Sequence, residues 1–407
     1  MIKLNHVSFA YKTGEAGESV QVLHNVNFQA APGECVVFCG KSGCGKTKML
    51  RLINGLVPHF YAGNLEGSAL IGGVDATQTP LPRMARIVGS VFQNPRTQFF
   101  HLDTTGEMVF NMENQNISCS EMQKRLQEVV CRLNLQELME RNIFELSGGE
   151  KQQIACGSAY ASLPPIIVMD EPSSNLDMES IRKLQKIICI MKEEGKTVLL
   201  SEHRLWYLEG IADRYVLLEN GQISQEFTPE MIAKLSKENR DKLGLRAVSR
   251  KQLYEPCYDM NIGEYSDVGL EIDRLQFCRE KRQVLNISHL KIPKGAIVAV
   301  IGENGAGKST LSLCLTGLLK HAGTIRIDDE KIPNKKLPEQ TYLVMQEAGH
   351  QLFSDTVLGE LTLNKQTVTE VQAEEILDKL GLNGMKNRHP GSLSGGQQQR
   401  LSLGIAL

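Results

Sequence analysis

Two stretches of this chain place glycines, a lysine and a hydroxyl at one spacing, G-x-x-x-x-G-K-[ST]. The first is Gly40-Lys41-Ser42-Gly43-Cys44-Gly45-Lys46-Thr47. The second is Gly302-Glu303-Asn304-Gly305-Ala306-Gly307-Lys308-Ser309. Glycines at these places let the backbone wrap closely, so that N–H groups point at phosphate oxygens. A helix N-terminus after the loop adds partial positive charge. Lys46 and Lys308 are expected to reach the β- and γ-phosphates of a nucleotide, and the hydroxyls of Thr47 and Ser309 to hold Mg²⁺. Each loop follows a β-branched apolar run (Val36-Val37-Phe38; Ile297-Val298-Ala299-Val300-Ile301) and leads into a helix-like stretch, the context such a loop needs.

Other residues extend the same chemistry. Ile166-Ile167-Val168-Met169 reads as a buried strand and ends in Asp170-Glu171. A carboxylate at that strand end can hold Mg²⁺, which suits Asp170, and the next can polarise an attacking water as general base, which suits Glu171. Gln93 follows Val91-Phe92 and can bond a water or a Mg²⁺ ligand; Gln346 follows Val344-Met345 in the same way. His203, after the strand-like Thr197-Val198-Leu199-Leu200, can bond a γ-phosphate from the far side. Ser147-Gly148-Gly149 and Ser394-Gly395-Gly396 each open a helical run, where hydroxyl, glycine N–H groups and helix terminus form a second phosphate-binding surface. Cys44 lies beside Lys46 at a helix start and is expected to carry more thiolate than a buried thiol, open to alkylation.

The elements that must position these residues occur twice. Gly302 lies 262 residues after Gly40, Gln346 lies 253 after Gln93, and Ser394 lies 247 after Ser147, so loops are trimmed while marked segments persist in order. Strands alternating with helical stretches predict an α/β protein, each half built on a mainly parallel sheet. The first domain spans 1–228, a connector 229–267, and the second domain 268–407. Ala296–Ile301 has the length of a buried parallel strand.

The chain has 407 residues, with 45 Lys plus Arg against 47 Asp plus Glu, a formal net charge of −2. That argues against bulk nucleic-acid binding. Ten cysteines, Cys257 among them, are scattered with no C-x-x-C, so free thiols in a reducing compartment are expected. No signal-peptide pattern and no run of membrane-span length is present, so a soluble, cytoplasmic protein is expected.

The order phosphate loop, glutamine loop, L-S-G-G signature, aspartate–glutamate strand and histidine loop resembles the ATP-binding cassette (ABC) ATPases, over nearly the whole chain outside the connector. The resemblance implies a P-loop NTPase fold in tandem. Each cassette would have an antiparallel β part and a helical signature subdomain. It implies two ATP sites between cassettes paired head to tail. Site one would join Gly40–Thr47, Gln93, Asp170, Glu171 and His203 to Ser394, Gly395 and Gly396. Site two would join Gly302–Ser309 and Gln346 to Ser147, Gly148 and Gly149. Tyr11 matches the aromatic that stacks on adenine, with Arg279 at the second equivalent position, and Ser174-Asn175-Leu176-Asp177 resembles the loop by which one cassette signals to the other.

Within that family, Gln98-Phe99-Phe100, Gln351-Leu352-Phe353 and Ser201-Glu202-His203-Arg204 resemble the energy-coupling-factor (ECF) importers. There, two cassettes at the cytoplasmic face of the cell membrane drive a transmembrane coupling protein and a substrate-capture protein, usually for vitamins or metal ions. Partner docking is expected around Phe99-Phe100 and Leu352-Phe353. Ser147 precedes Asp170 by 23 residues; the same spacing from Ser394 places a second metal-holding aspartate near 417, ten past Leu407. The second cassette is thus expected to be incomplete, without its Walker B strand, D-loop and H-loop. The competing class, a soluble tandem cassette protein acting on ribosomes or nucleic acid, needs a basic stripe that the charge balance withholds. A nucleotide-binding regulator without turnover would not need Glu171.

Overall fold

The computed structural model describes residues 1–13, 18–253, 267–280, 282–363 and 368–406. Cys257 and the rest of 254–266 lie outside the described residues, as does Leu407. The chain divides into two compact units, Met1–Asp259 and Met260–Leu407.

In the first unit an antiparallel sheet carries β1 (Ile2–Thr13), β2 (Glu18–Ala30), β4 (Gly63–Ile71) and β5 (Val74–Asp75), in the order β2-β1-β4-β5. A second sheet holds β3 (Cys35–Cys39), β6 (Val88–Val91), β7 (Ile166–Asp170), β8 (Thr197–Ser201), β9 (Arg214–Glu219) and β10 (Gln222–Phe227), in the order β10-β9-β3-β8-β7-β6. All its neighbours are parallel except the β9–β10 hairpin. Both faces of that sheet are covered, which is why its strands read as continuous apolar runs. Val36, Phe38, Val168 and Leu199 pack with the antiparallel sheet and with α1 (Lys46–Ile53). Val37, Ile167, Met169 and Leu200 face the other way, onto α2 (Thr104–Asn114), α3 (Cys119–Arg132), α4 (Gly148–Ala161) and α5 (Met178–Glu193). Short helices Pro229–Ala233 and Lys237–Leu243 follow, and Ile232, Leu245 and Val248 join this second core.

The register decides the chemistry. Asp170 pairs with Ser201, and Phe38 pairs with Ser201 from the other side. The C-terminal ends of β3, β7 and β8 therefore lie at one edge, where ligands of open parallel sheets bind.

The second unit contains an antiparallel sheet of β11 (Val268–Arg279), β12 (Arg282–Pro293), β13 (Ala322–Ile327) and β14 (Glu330–Ile332), in the order β12-β11-β13-β14. Ile272, Leu275, Leu285 and Ile325 pack there with Leu311 of α6 (Lys308–Leu315). A separate cluster joins α7 (Val357–Leu363), α8 (Glu370–Lys379) and α9 (Gly395–Ala406) through Leu361, Leu377 and Leu401. The expected buried strand Ala296–Ile301 is not formed: these residues lie outside any strand, and Ile301 is 89% exposed. The reason is pairing. In the first unit β3 is held between β8 and β9, whereas among the described residues of the second unit no strand lies beside Ala296–Ile301. An apolar run without lateral hydrogen-bond partners does not become a strand. Among the described residues, no helix is long and apolar enough to cross a membrane.

Candidate active site

The first phosphate loop leaves the end of β3 and turns at once. Gly40 has φ 130°, and a Cβ there would sit 2.4 Å from Leu218 O of β9, so no side chain fits. The loop closes around the buried Lys46 ammonium. Its Nζ donates to Gly40 O and Lys41 O, both at 3.1 Å. Two carbonyls thus hold the ammonium at the centre of the loop, where an incoming phosphate would find it.

Asp170 ends β7 opposite this loop. Thr47 Oγ1 donates to Asp170 Oδ1 at 3.1 Å, and Ser201 Oγ donates to the same oxygen. Burial pushes the Asp170 carboxyl up, against the pull of the two hydroxyls. Glu171 is moved the other way. The His203 ring hydrogen-bonds it, Nε2 to Oε1 at 3.3 Å, and holds its carboxyl below the usual range although burial opposes this. Adjacent carboxylates with environments that push them apart are a mark of divided roles. Glu171 also sits at φ 42°, in the left-handed region that costs a non-glycine residue about 1–3 kcal/mol. Its N–H donates to Ser201 O (3.0 Å) and Ser201 Oγ (3.1 Å), which fixes that turn. Gln93, just past β6, donates from Nε2 to Glu171 Oε2 at 3.0 Å.

His203 Nε2 lies 3.2 Å from Lys46 Nζ as well as 3.3 Å from Glu171 Oε1. One ring nitrogen can accept from the ammonium or donate to the carboxylate, not both. Which it does depends on whether Lys46 is engaged elsewhere.

The structure therefore brings Lys46, Thr47, Gln93, Asp170, Glu171 and His203 to one edge. Tyr11, at the end of β1, is half-buried; its ring packs edge-on against Phe9 (4.9 Å between centroids) and Tyr61 (6.2 Å). Cys44 departs from expectation. It is 7% exposed, and burial raises its thiol, outweighing the Lys46 ammonium 3.9 Å from Sγ. The expectation of a thiolate-rich, open Cys44 is thus corrected: desolvation beats the neighbouring cation.

Ser147 caps α4 in a reciprocal box: Glu150 N–H donates to Ser147 Oγ (3.3 Å), and Ser147 N–H to Glu150 Oε2 (2.7 Å). Ser147 and Gly148 are exposed, whereas Gly149 is buried under α5, where a Cβ would meet Ser180 Oγ at 2.0 Å. In the second unit Ser394 N–H donates to Gln397 Oε1 (2.8 Å), and nothing lies near a Cβ at Gly395 or Gly396.

The second phosphate loop repeats the first alone. Lys308 Nζ donates to Gly302 O (2.8 Å) and Glu303 O (2.6 Å). Glu303, Asn304, Gly305 and Ala306 share a cavity of about 810 Å³ with Arg279. Ser309 and Gln346 are exposed.

Beyond its place in Ser201-Glu202-His203-Arg204, Ser201 carries no assigned role in the sequence. Its sole signal is that it ends an apolar strand, as Asp170 does, and its role appears only when the two ends are placed in register.

Residues 23–174 and 285–407 match the family model described as ABC transporter. The chain belongs to the ABC transporter family. A provisionally named ABC transporter ATP-binding protein of Treponema denticola is 40% identical over 416 residues, covering all of this chain and 83% of that protein. The Bacillus subtilis protein provisionally named HMP/thiamine import ATP-binding protein YkoD is 29% identical over 436 residues, covering 100% of this chain and 79% of its own. The fold is similar to cbiO1 of Clostridium perfringens, part of the cbiONQ transporter complex (TM-score 0.51, 22% identity, 60% of this chain and 94% of that one). The protein is an ABC transporter ATP-binding subunit with the P-loop NTPase fold, and it hydrolyses ATP.

Proposed function

We propose that this ABC subunit is the ATP-hydrolysing motor of an ECF-type importer of a vitamin or metal ion. It would act at the cytoplasmic face of the cell membrane with a transmembrane coupling protein and a substrate-capture protein. The two cassettes, 1–228 and 268–407 with connector 229–267, pair head to tail in this reading. Site one combines the first phosphate loop with Ser394, Gly395 and Gly396, and site two the second loop with Ser147, Gly148 and Gly149. Tyr11 and Arg279 lie against the adenines.

The observation that carries the catalytic part is the cluster at the edge of β7 and β8. Glu171 is held ionised by His203 and steadied by Gln93, so it can take a proton from a water aligned on the γ-phosphate. Lys46, released from the Gly40 and Lys41 carbonyls, binds β- and γ-phosphate oxygens. His203 then loses its ammonium partner and can donate to phosphate or to Glu171. Thr47 hydroxyl, Asp170 carboxylate and Gln93 amide are hard oxygen donors that fit Mg²⁺, with Thr47 Oγ1 and Asp170 Oδ1 already 3.1 Å apart. These residues would hold Mg²⁺, which would supply neutralising charge to the phosphates when bound. Ser309 and Gln346 would take the corresponding places at the second loop.

Two observations support the importer part. A cavity of about 600 Å³ runs from Thr47, Gln93 and Asp170 to the apolar Phe60, Phe92 and Phe100. Phe100 is 76% exposed and Phe353 of the second unit 79%, unusual for large apolar side chains that need no partner. Thiamine-related import in the name of the Bacillus subtilis relative supports a vitamin as cargo. The test is assembly with the membrane proteins encoded beside this gene. Phe100→Glu should abolish their co-purification while ATP binding and melting temperature stay at parental values. A complex that survives both Phe100→Glu and Phe353→Glu sinks the docking reading.

A further inference from the structure

The helix Lys237–Leu243 stops at Gly244, whose φ of 69° lies in the left-handed region that glycine enters at little cost. The chain turns there: Leu245 N–H donates to Arg240 O at 2.8 Å and Gly244 N–H to Asp241 O at 3.1 Å. Leu245 and Val248 then sink into the core of the first unit. Further bonds strap the stretch down. Val248 N–H donates to Gln252 Oε1 at 3.0 Å, Gln252 Nε2 to Ala233 O at 3.1 Å, and Arg250 N–H to Glu209 Oε2 at 3.1 Å. Residues 244–252 of the connector are thus a built part of the first unit.

The strapped turn lies against the first phosphate loop. A Cβ on Gly244 would stand 2.3 Å from Lys41 Cγ, 3.3 Å from Cδ and 3.2 Å from Cε, so the Lys41 stem runs across bare glycine backbone. Lys41 is the second residue of the loop, and its carbonyl accepts from the Lys46 ammonium. Two residues beyond Gly244, Arg246 is exposed and stands near Glu171. The His203 hydrogen bond does most to hold the Glu171 carboxyl down, and Lys46 and Arg246 add to it. Among the described residues, no hydrogen bond or salt bridge holds the side chain of Lys41 or of Arg246. Three cations, Lys41, Lys46 and Arg246, therefore face two carboxylates, Asp170 and Glu171. Excess positive charge beside a loop built for phosphate draws in a multiply charged anion. A cation near Glu171 is also near the place a terminal phosphate must take if Glu171 is to work on a water aligned there.

We propose that the connector turn Gly244-Leu245-Arg246 is a wall of the first ATP site: Gly244 seats Lys41, and Arg246 meets the terminal phosphate, so that the site tells triphosphate from diphosphate. The inference rests on the reading that the first loop holds ATP, and it does not depend on the importer reading.

The experiment uses the full chain carrying Lys308→Ala, which weakens nucleotide binding at the second loop. Equilibrium dialysis measures a non-hydrolysable ATP analogue and ADP, each with Mg²⁺, and melting temperature is recorded for every variant. Arg246→Ala should weaken the analogue about five- to tenfold and ADP less than about twofold, because only the analogue carries the phosphate that Arg246 meets. Arg246→Lys should bring the analogue back to within about threefold of the starting protein, since the charge is kept and the planar fork is lost. Gly244→Val strikes the Lys41 stem and should lower the preference for the analogue over ADP about threefold. Arg246 is exposed, so Arg246→Ala carries the test alone should Gly244→Val not fold. Lys46→Ala, dialysed alongside, should weaken both nucleotides. Parental binding in Lys46→Ala overturns the reading of the loop, and this inference with it. A loss in Lys46→Ala with the starting preference intact in Arg246→Ala overturns this inference alone, as does an Arg246→Ala loss of equal size for the analogue and ADP.

Discussion

Lys46 and Lys308 sit in loops of one backbone form. The three glycines have φ 130°, 79° and 115° in the first loop and 152°, 87° and 94° in the second. Each ammonium caps the carbonyls of the loop's first two residues, at 3.1 and 3.1 Å in one and 2.8 and 2.6 Å in the other. Lys46 is buried and Lys308 half-exposed. Asp170, Glu171 and His203 stand around the first loop; among the described residues of the second unit Lys308 Nζ bonds the two loop carbonyls. The difference teaches that the cradle is a local property of eight residues, settled by glycine positions and the following helix. The chemistry is not local. It comes from strand ends more than a hundred residues away, brought in by a parallel sheet that the second unit's described residues do not form.

The sharpest way to break the comparison is to remove the base. Glu171→Gln keeps shape and removes basicity, so turnover should fall about 10²–10⁴-fold with ATP affinity nearly unchanged. Phosphate release and a fluorescent nucleotide titration separate the two. Parental turnover in Glu171→Gln would show that Glu171 is not the base.

A smaller effect is expected from the lysines themselves. Lys46→Ala removes a charge-assisted contact and should weaken ATP binding about tenfold or more. Lys308→Ala should lower turnover less, since its ammonium is half-exposed where Lys46 is buried beside Glu171 and His203. Equal losses of turnover from the two substitutions would mean that the cradles are functionally matched despite their surroundings.

Asp170→Asn tests the electrostatics without nucleotide. Burial raises the Asp170 carboxyl above its unfolded value, so the ionised form destabilises the fold. That penalty is present above the folded pKa and vanishes as pH falls below the unfolded one. The variant should therefore melt higher at neutral pH, with the gain shrinking on acidification. A gain that grows toward acid pH would reverse the assignment.

Much of this site was legible in the sequence because its members end apolar runs. Asp170 and Glu171 follow Ile166–Met169, Gln93 follows Val91-Phe92, and His203 follows Thr197–Ser201. The antiparallel sheets are implied only by the family resemblance. What stayed hidden depends on register. Ser201 and Glu202 look like ordinary polar residues after a strand until β7 and β8 are paired and Ser201 faces Asp170. Ala296–Ile301 misled because composition announces a strand while lateral partners decide whether one forms. Gly149 owes its identity to a helix that crosses it 31 residues later, at Ser180.

The smallest effect is expected at Cys44, where the second loop has Ala306. Its Sγ fills space against Gly40, 3.0 Å from where a Cβ on that glycine would lie. Burial raises the thiol, and the Lys46 ammonium only partly offsets this. Alkylation needs thiolate and access, and Cys44 is short of both. Cys119 and Cys131 are exposed and should react first. Labelling of Cys44 should be at least about tenfold slower, as read by peptide mass over time. Cys44→Ala converts the first loop toward the second and removes one sulfur from a tight contact, at about 1 kcal/mol of stability. Turnover should stay within about twofold, because the cradle presents backbone N–H groups that an alanine supplies equally. Should Cys44 label as fast as Cys119, or Cys44→Ala lose turnover severalfold, the first loop depends on its thiol in a way the second does not, and the two cradles are no longer equivalent.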